Sequence, residues 1–215
     1  MALTPDVPGR PNRLQPVVSY RPAGEPSART PEAFSAFGMW LFLVALFILF
    51  AAMLLAYLLI RIGSQKSPPL HTIEIPWLMF LGSTGMVLGV SLAMGLAVHH
   101  IRRAHLRQLR EMLLASLVLA VGFVLIQTPA MVRLLRFHHA AEHDGIFTYG
   151  LVFFLVLVHA LHVAGGLIAI LWVVYRAGQG IYTQTNYSTI RNTALYWHFL
   201  DLIWICMFLM FLATG

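Results

Sequence analysis

Residues 38–60 read GMWLFLVALFILFAAMLLAYLLI, twenty-three positions without a charged side chain. A helix that crosses a bilayer needs about 20 mostly apolar residues, so this stretch is long enough. Four further stretches, at roughly 76–98, 112–132, 147–175 and 194–213, have the same character. Barrel strands alternate apolar and polar positions over about 10 residues, and these runs are too long and too uniform for that. A backbone in hydrocarbon must satisfy its own hydrogen bonds, which a helix does locally. The expected fold class is therefore all-α, a polytopic membrane protein built as a bundle of five transmembrane helices.

The whole chain agrees with its spans. Of 215 residues 59% are hydrophobic and 10% charged, more apolar surface than one water-soluble core can hide. The formal charge of +6 does not point to nucleic acid, because the basic residues lie in short segments beside the spans and not in a stripe. Cys206, the only cysteine, sits inside the last span and reads as a small packing residue, with no disulfide framework and no thiolate cluster. Residues 1–35 are rich in proline and carry Arg10, Arg13, Arg21 and Arg29. They read as a flexible tail ahead of a membrane domain over 36–215, without the pattern of a secretory signal or an amphipathic transit helix.

Basic residues set the expected orientation. Ten of the fourteen lie in the amino-terminal tail, after the second span (Arg102, Arg103, Arg107, Arg110) and after the fourth (Arg176, Arg191). Arg61, Lys66, Arg133 and Arg136 fall on the opposite side. The positive-inside rule then puts the amino terminus in the cytoplasm and the carboxy terminus outside. Ser67-Pro68-Pro69 breaks the chain after the first span, Pro76 opens the second, and Pro129 should bend or end the third. Trp77, Tyr175, Tyr196 and Trp197 are placed near membrane interfaces. Small residues mark expected helix contacts: Gly38, Ala45, Ala52 and Ala56 on the first span, Gly82, Gly85, Gly89 and Ala93 on the second, and Gly165-Gly166 on the fourth.

An ionisable group within a span costs on the order of 2.5–3.5 kcal/mol on insertion scales, so each needs a partner or a purpose. His159 and His162 share one face of the fourth span, and His198 and Asp201 share one face of the fifth. Both pairs are expected to meet in the cytoplasmic half of the bundle. The four groups are open to several readings: a structural hydrogen-bonded network, a proton relay, a lipid or partner-subunit contact, a metal site or a pair of haem ligands. Gln127, buried in the third span, is expected to bond to a neighbouring helix. His138, His139, Glu142, His143 and Asp144 are dense just before the fourth span, but their spacing matches no closed metal-ligand set and they read as a solvated loop. Asn186-Tyr187-Ser188 matches a glycosylation sequon, which has no meaning on a cytoplasmic side. No nucleotide-binding loop, nucleophile elbow, zinc-protease motif or iron–sulfur cysteine set occurs.

These polar positions coincide with a known pattern. Tyr196-Trp197-His198-Phe199-Leu200-Asp201, continued by Leu202-Ile203-Trp204, resembles the last-helix signature of cytochrome c oxidase subunit III. His159-Ala160-Leu161-His162-Val163, leading to Gly165-Gly166, resembles that family's paired-histidine helix, with Asp144-Gly145-Ile146-Phe147 as the acidic turn before it. Gly38-Met39-Trp40-Leu41-Phe42 resembles the opening of the family's third helix, and Gly122-Phe123 with Gln127 falls on its fifth. The likeness runs in order over residues 38–213, and the carboxy-terminal signature is its most specific part. The long form of the family has seven helices; this chain matches the last five, as short bacterial members do. A serine–glutamate pair typical of the opening helix is replaced by Ala45 and Leu46, so no role of that carboxylate carries over.

The resemblance implies a non-catalytic subunit that holds no haem, copper or other metal, packs beside catalytic subunit I together with subunit II, and contacts membrane phospholipids. It implies a place in a bacterial inner membrane, in aerobic respiratory electron transport, stabilising the catalytic subunit and supporting proton uptake. Haem and copper would belong to the partners, whose activity is oxygen reduction with electrons from cytochrome c. Alternatives are the accessory subunit of a nitric oxide reductase, a small b-type haem protein using His159 or His162 with His198, and a transporter, for which an internal repeat is missing.

Overall fold

A computed structural model describes residues 31–63, 77–141, 147–184 and 186–214. The tail over 1–30, Lys66, the Ser67-Pro68-Pro69 break, Pro76 and the segment from Glu142 to Ile146 lie outside the described residues, as do the side chains of Trp77, Arg133, Arg136, His138 and His139. The described chain forms five helices: α1 (Pro31–Gly63), α2 (Trp77–Arg102), α3 (Leu106–Ala141), α4 (Phe147–Gly178) and α5 (Ser188–Thr214). All five are long and apolar enough to cross a membrane. Each runs past its apolar stretch into polar sequence, since helical hydrogen bonds need no apolar side chains to continue. Pro129 lies within α3 and does not end it. The ring removes one backbone donor, and beside it Thr128 turns its hydroxyl onto the Val124 carbonyl at 2.7 Å.

α4 and α5 form the middle of the bundle. α1 packs on both from one side, α2 packs on α5 and α3 on α4 from the other, and α2 and α3 pair closely with each other. The main core lies between α2, α3, α4 and α5, around Met94, Leu113, Ile170 and Trp197. A smaller one joins α1 to α4 and α5 through Phe50, Leu155, Ile203 and Met207. The outer faces are apolar as well: Val118 is 70% exposed and Leu92 67%. Such continuous apolar exposure belongs to a protein whose solvent is lipid.

Two helix ends share one geometry built from different residues. After α4, Gly180 takes φ +71°, its N–H donating to Ala177 O and that of Ile181 to Arg176 O. After α2, Ala104 takes φ +59°, with Ala104 N–H donating to Ile101 O and His105 N–H to His100 O. Both are Schellman caps. Glycine occupies the left-handed position freely, and alanine does so at a steric cost of about 1–2 kcal/mol.

The basic segments converge on one end of the bundle. Asn192 at the start of α5 donates to Ser35 Oγ at the start of α1 (2.9 Å). Gln184, in the α4–α5 loop, donates to Arg102 O at the end of α2 (3.4 Å). The Arg102 guanidinium lies over the Tyr187 ring, and Arg110 donates to Ala177 O at 3.2 Å. Arg61 sits in the last turn of α1, away from this end.

Candidate functional site

The polar residues of the spans divide into three units around α5. α5 is turned by about 100° per residue, so neighbouring side chains serve different helices.

The first unit clamps α5 to α4. Tyr196 donates its hydroxyl proton to His162 O at 2.9 Å, and Trp197 Nε1 donates to Gly166 O at 3.1 Å. The two acceptors are one helical turn apart on the same face of α4, and a carbonyl already serving its own helix has a second lone pair for such a bond. Close approach is needed here, because a Cβ on Gly166 would stand 3.1–3.2 Å from three atoms of the indole. Tyr196 and Trp197 are buried, and their polar atoms are satisfied by the backbone of α4.

The second unit holds the paired histidines. His159 is buried, stacked on Trp204 with centroids 5.7 Å apart and edge-on to Phe50 at 6.0 Å. His162 donates Nδ1–H to Val158 O, one turn back on its own helix, at 2.7 Å, and also meets Phe50 edge-on at 5.4 Å. Trp204 reaches across to α2, donating to Thr84 Oγ1 at 3.2 Å.

The third unit joins α5 to α2. His198 Nδ1 is hydrogen-bonded to Ser91 Oγ. Asp201 is 4% exposed, and among the described residues neither of its oxygens has a partner of hydrogen-bonding geometry; the Ser91 hydroxyl is the side chain placed to supply one. His198 opens on a groove of about 500 Å³ between α2 and α5, lined also by Leu92, Gly95, Leu96 and His99.

The three imidazoles and the carboxylate expected in one cluster are therefore split. α5 shows Trp197 to α4 and His198 to α2, with Trp204 between them, stacked on His159 of α4 and bonded to Thr84 of α2, and the histidines of α4 take aromatic neighbours. Among the described residues no three His, Cys, Asp or Glu side chains converge as a metal-ligand set. Gln127 is half-buried and makes no hydrogen bond to a neighbouring helix among the described residues. The small residues divide too. A Cβ on Gly89 would stand 3.1 Å from Leu119 of α3, and one on Gly165 would stand 3.8 Å from the Tyr196 hydroxyl, whereas a Cβ on Gly82 or Gly85 would meet nothing within 4 Å among the described residues. Ser91 and Thr84 do not stand out in the sequence, because a hydroxyl in a helix commonly bonds its own backbone, as Ser116 does to Leu113 O.

At the basic end, Tyr182 is buried. Burial raises its hydroxyl above the ordinary tyrosine value, and the Arg176 charge and the Thr189 hydroxyl oppose that rise.

Comparison with known proteins supplies the wider setting. The family model described as cytochrome c oxidase subunit III matches residues 29–215. The chain is 28% identical over 179 residues to cytochrome bo(3) ubiquinol oxidase subunit 3 of Buchnera aphidicola subsp. Schizaphis graminum, covering 83% of this chain and 93% of that one. It is 30% identical over 173 residues to quinol oxidase subunit 3 of Bacillus subtilis, covering 80% and 82%. To cytochrome c oxidase subunit 3 of Bacillus subtilis it is 28% identical over 187 residues, covering 83% and 85%.

Proposed function

The chain belongs to the cytochrome c oxidase subunit III family of haem–copper oxidases, and from that premise we propose that it is the non-catalytic third subunit of a terminal oxidase in aerobic respiration. It stands beside catalytic subunit I and subunit II in a bacterial inner membrane, with its amino terminus in the cytoplasm. Haem and copper reside in those partners, and this chain stabilises the catalytic subunit and supports its proton uptake. The observation that carries the reading is the use made of the polar residues. Tyr196, Trp197 and Trp204 spend their donors on helix-to-helix bonds, and His159 is sealed among aromatic rings. A chain arranged in this way holds its helices together and leaves redox chemistry to the assembly. The clustering of α1's start, the α2–α3 turn and the α4–α5 loop at one basic end supports the orientation.

Relatives carry names of both quinol and cytochrome c oxidases. We take cytochrome c as the electron donor of this chain's assembly, with quinol as the competing outcome. Purification in mild detergent, with partners identified by mass and pigments by spectrum, tests all of this. The expected result is a complex with a copper-containing catalytic subunit and no pigment left on this chain once it is dissociated. A coloured isolated chain, or a reductase with non-haem iron as the only companion, overturns the reading. Within that complex, His198→Ala should loosen retention of this subunit and leave haem per catalytic subunit unchanged. Asp201→Asn should be milder, since the amide keeps part of the hydrogen bonding.

A further inference from the structure

Asp201 is not accounted for by helix packing. It is 4% exposed in the middle of an apolar span, and among the described residues neither of its oxygens has a partner of hydrogen-bonding geometry. No Lys or Arg lies on the membrane-buried part of any helix packed against α5. The titratable side chains on those helices meet other groups or, like His99 and His100 of α2, lie in the last turn toward the basic end. On α4, His162 is bonded to Val158 O and His159 is stacked on Trp204; on α1, Tyr57 packs edge-on against Phe211, toward the far end of α5. On α5 itself Tyr196 donates to His162 O. What remains near Asp201 is the Ser91 hydroxyl of α2, already bonded to His198 Nδ1.

From this arrangement we infer that Asp201, Ser91 and His198 form a proton-exchanging relay between a buried carboxyl and the groove along α2 and α5. An unpaired carboxylate in hydrocarbon is carried as the neutral acid. A serine hydroxyl has one proton to give and two lone pairs, so Ser91 accepts the Asp201 proton while donating its own to His198 Nδ1. His198 then carries its proton on Nε2, the ring nitrogen left for the groove. Exchange runs in one concerted direction at a time: the Asp201 proton passes to Ser91 Oγ, the Ser91 proton to His198 Nδ1, and the His198 Nε2 proton to a water molecule that enters the groove from its His99 end. The reverse sequence refills the carboxyl. No charge is created except the one proton moved.

The groove gives the relay a way out. His99 lines the same groove eight residues beyond Ser91, about 12 Å along the helix, and α2 ends three residues later at Arg102, among the basic residues that border water. Ser91 and Gly95 keep this side of α2 low: a Cβ on Gly95 would touch His198 Cε1 at 4.0 Å. The relay needs only that these helices lie in a membrane, so it stands apart from the oxidase assignment.

The test is infrared spectroscopy of the native complex in membrane vesicles. The carbonyl stretch of a protonated carboxyl, assigned by its loss in Asp201→Asn, should be present at neutral pH and shift on transfer to deuterated buffer. In Ser91→Ala that shift should be about tenfold slower, the factor that corresponds to one lost hydrogen bond of about 1.4 kcal/mol. His198→Phe should slow it similarly, and Ser91→Thr, which keeps the hydroxyl, should restore the native rate. Ser91→Ala removes a single oxygen and keeps the test open should His198→Phe fail to accumulate. The relay is overturned if Asp201→Asn removes no protonated-carboxyl band, or if Ser91→Ala exchanges as fast as the native chain. Neither result depends on which enzyme the complex proves to be.

Discussion

Adding one methyl group at Gly166 should damage the chain, while the same addition next door should not. The ideal Cβ of Gly166 falls 3.1 Å from Trp197 Cε2 and 3.2 Å from both Cζ2 and Nε1. Carbon atoms pack best at about 3.5–4.0 Å, so the indole must retreat by roughly 0.4 Å. Trp197 is fully buried, and any retreat stretches its 3.1 Å bond to Gly166 O. Overpacking by one methyl typically costs about 1–3 kcal/mol. Against this, alanine is the better helix former by at most about 1 kcal/mol. The net expectation for Gly166→Ala is a loss of about 1–2 kcal/mol, a factor of about 5–30 in the folded population. Gly165→Ala, whose Cβ meets the Tyr196 hydroxyl at an ordinary 3.8 Å, should stay within about 0.5 kcal/mol of the native chain. Reversible unfolding by sodium dodecyl sulfate in mixed micelles, followed by ellipticity, measures both. A double-mutant cycle makes the cause specific. All three touched atoms lie beyond Cδ, where a leucine side chain ends, so in a Trp197→Leu background most of the Gly166→Ala penalty should vanish. Equal effects at positions 165 and 166, or strict additivity with Trp197→Leu, would refute the reasoning.

The other expectations use the same unfolding assay. Gly85→Ala adds its methyl to open space and should leave the isolated chain unchanged or slightly stabilised; a loss confined to the assembled complex would place a neighbour on that face. Ala104→Gly should stabilise by about 1 kcal/mol, because glycine takes the left-handed cap without the clash of a Cβ. Thr84→Val removes the acceptor for Trp204 and should cost about 0.6 kcal/mol, the mean for hydrogen bonds between membrane helices. Tyr182 has its hydroxyl raised above 10.0 by burial, so the folded chain holds that proton more tightly than the unfolded one. Its contribution is complete below pH 10 and is lost as pH climbs through the raised value. Tyr182→Phe should match the native chain at neutral pH and lack that alkaline loss.

The five spans were legible because lipid imposes one requirement that the sequence must meet everywhere: about 20 consecutive residues with nothing to hydrate. Residues 38–60 meet it with no competing pattern. Helix ends were less legible. α3 continues through Pro129, because a proline costs one backbone bond and a neighbouring Thr128 can adjust locally. The cap at Ala104 was invisible, since nothing in an alanine announces positive φ; its counterpart at Gly180 carries the expected residue. Glycine spacing identified candidates for close packing without saying which helix they meet. Gly166 meets an indole and Gly82 meets none of the described residues, a distinction set by the rotation of each helix in the bundle, which a repeat of small residues leaves open.

The polar residues show most clearly how far one-dimensional reasoning reaches. Hydrocarbon penalises every imidazole and carboxylate in a span, so His159, His162, His198 and Asp201 stood out one by one, as did the resemblance they carry. Their grouping did not follow, because a shared helical face fixes only which residues on one helix point together, and not what lies opposite. α5 sits between α2 and α4, and a shift of one residue along it changes the helix addressed: Trp197 bonds to α4 and His198 to α2. That division decides the chemistry. Had His198 faced His159, two rings could have held one ion or one pigment between them; turned toward Ser91, it ends a chain of hydroxyl and carboxyl groups that suits proton exchange and little else. The partner that makes this difference is a serine, the polar residue a membrane helix hides at least cost and a sequence therefore advertises least.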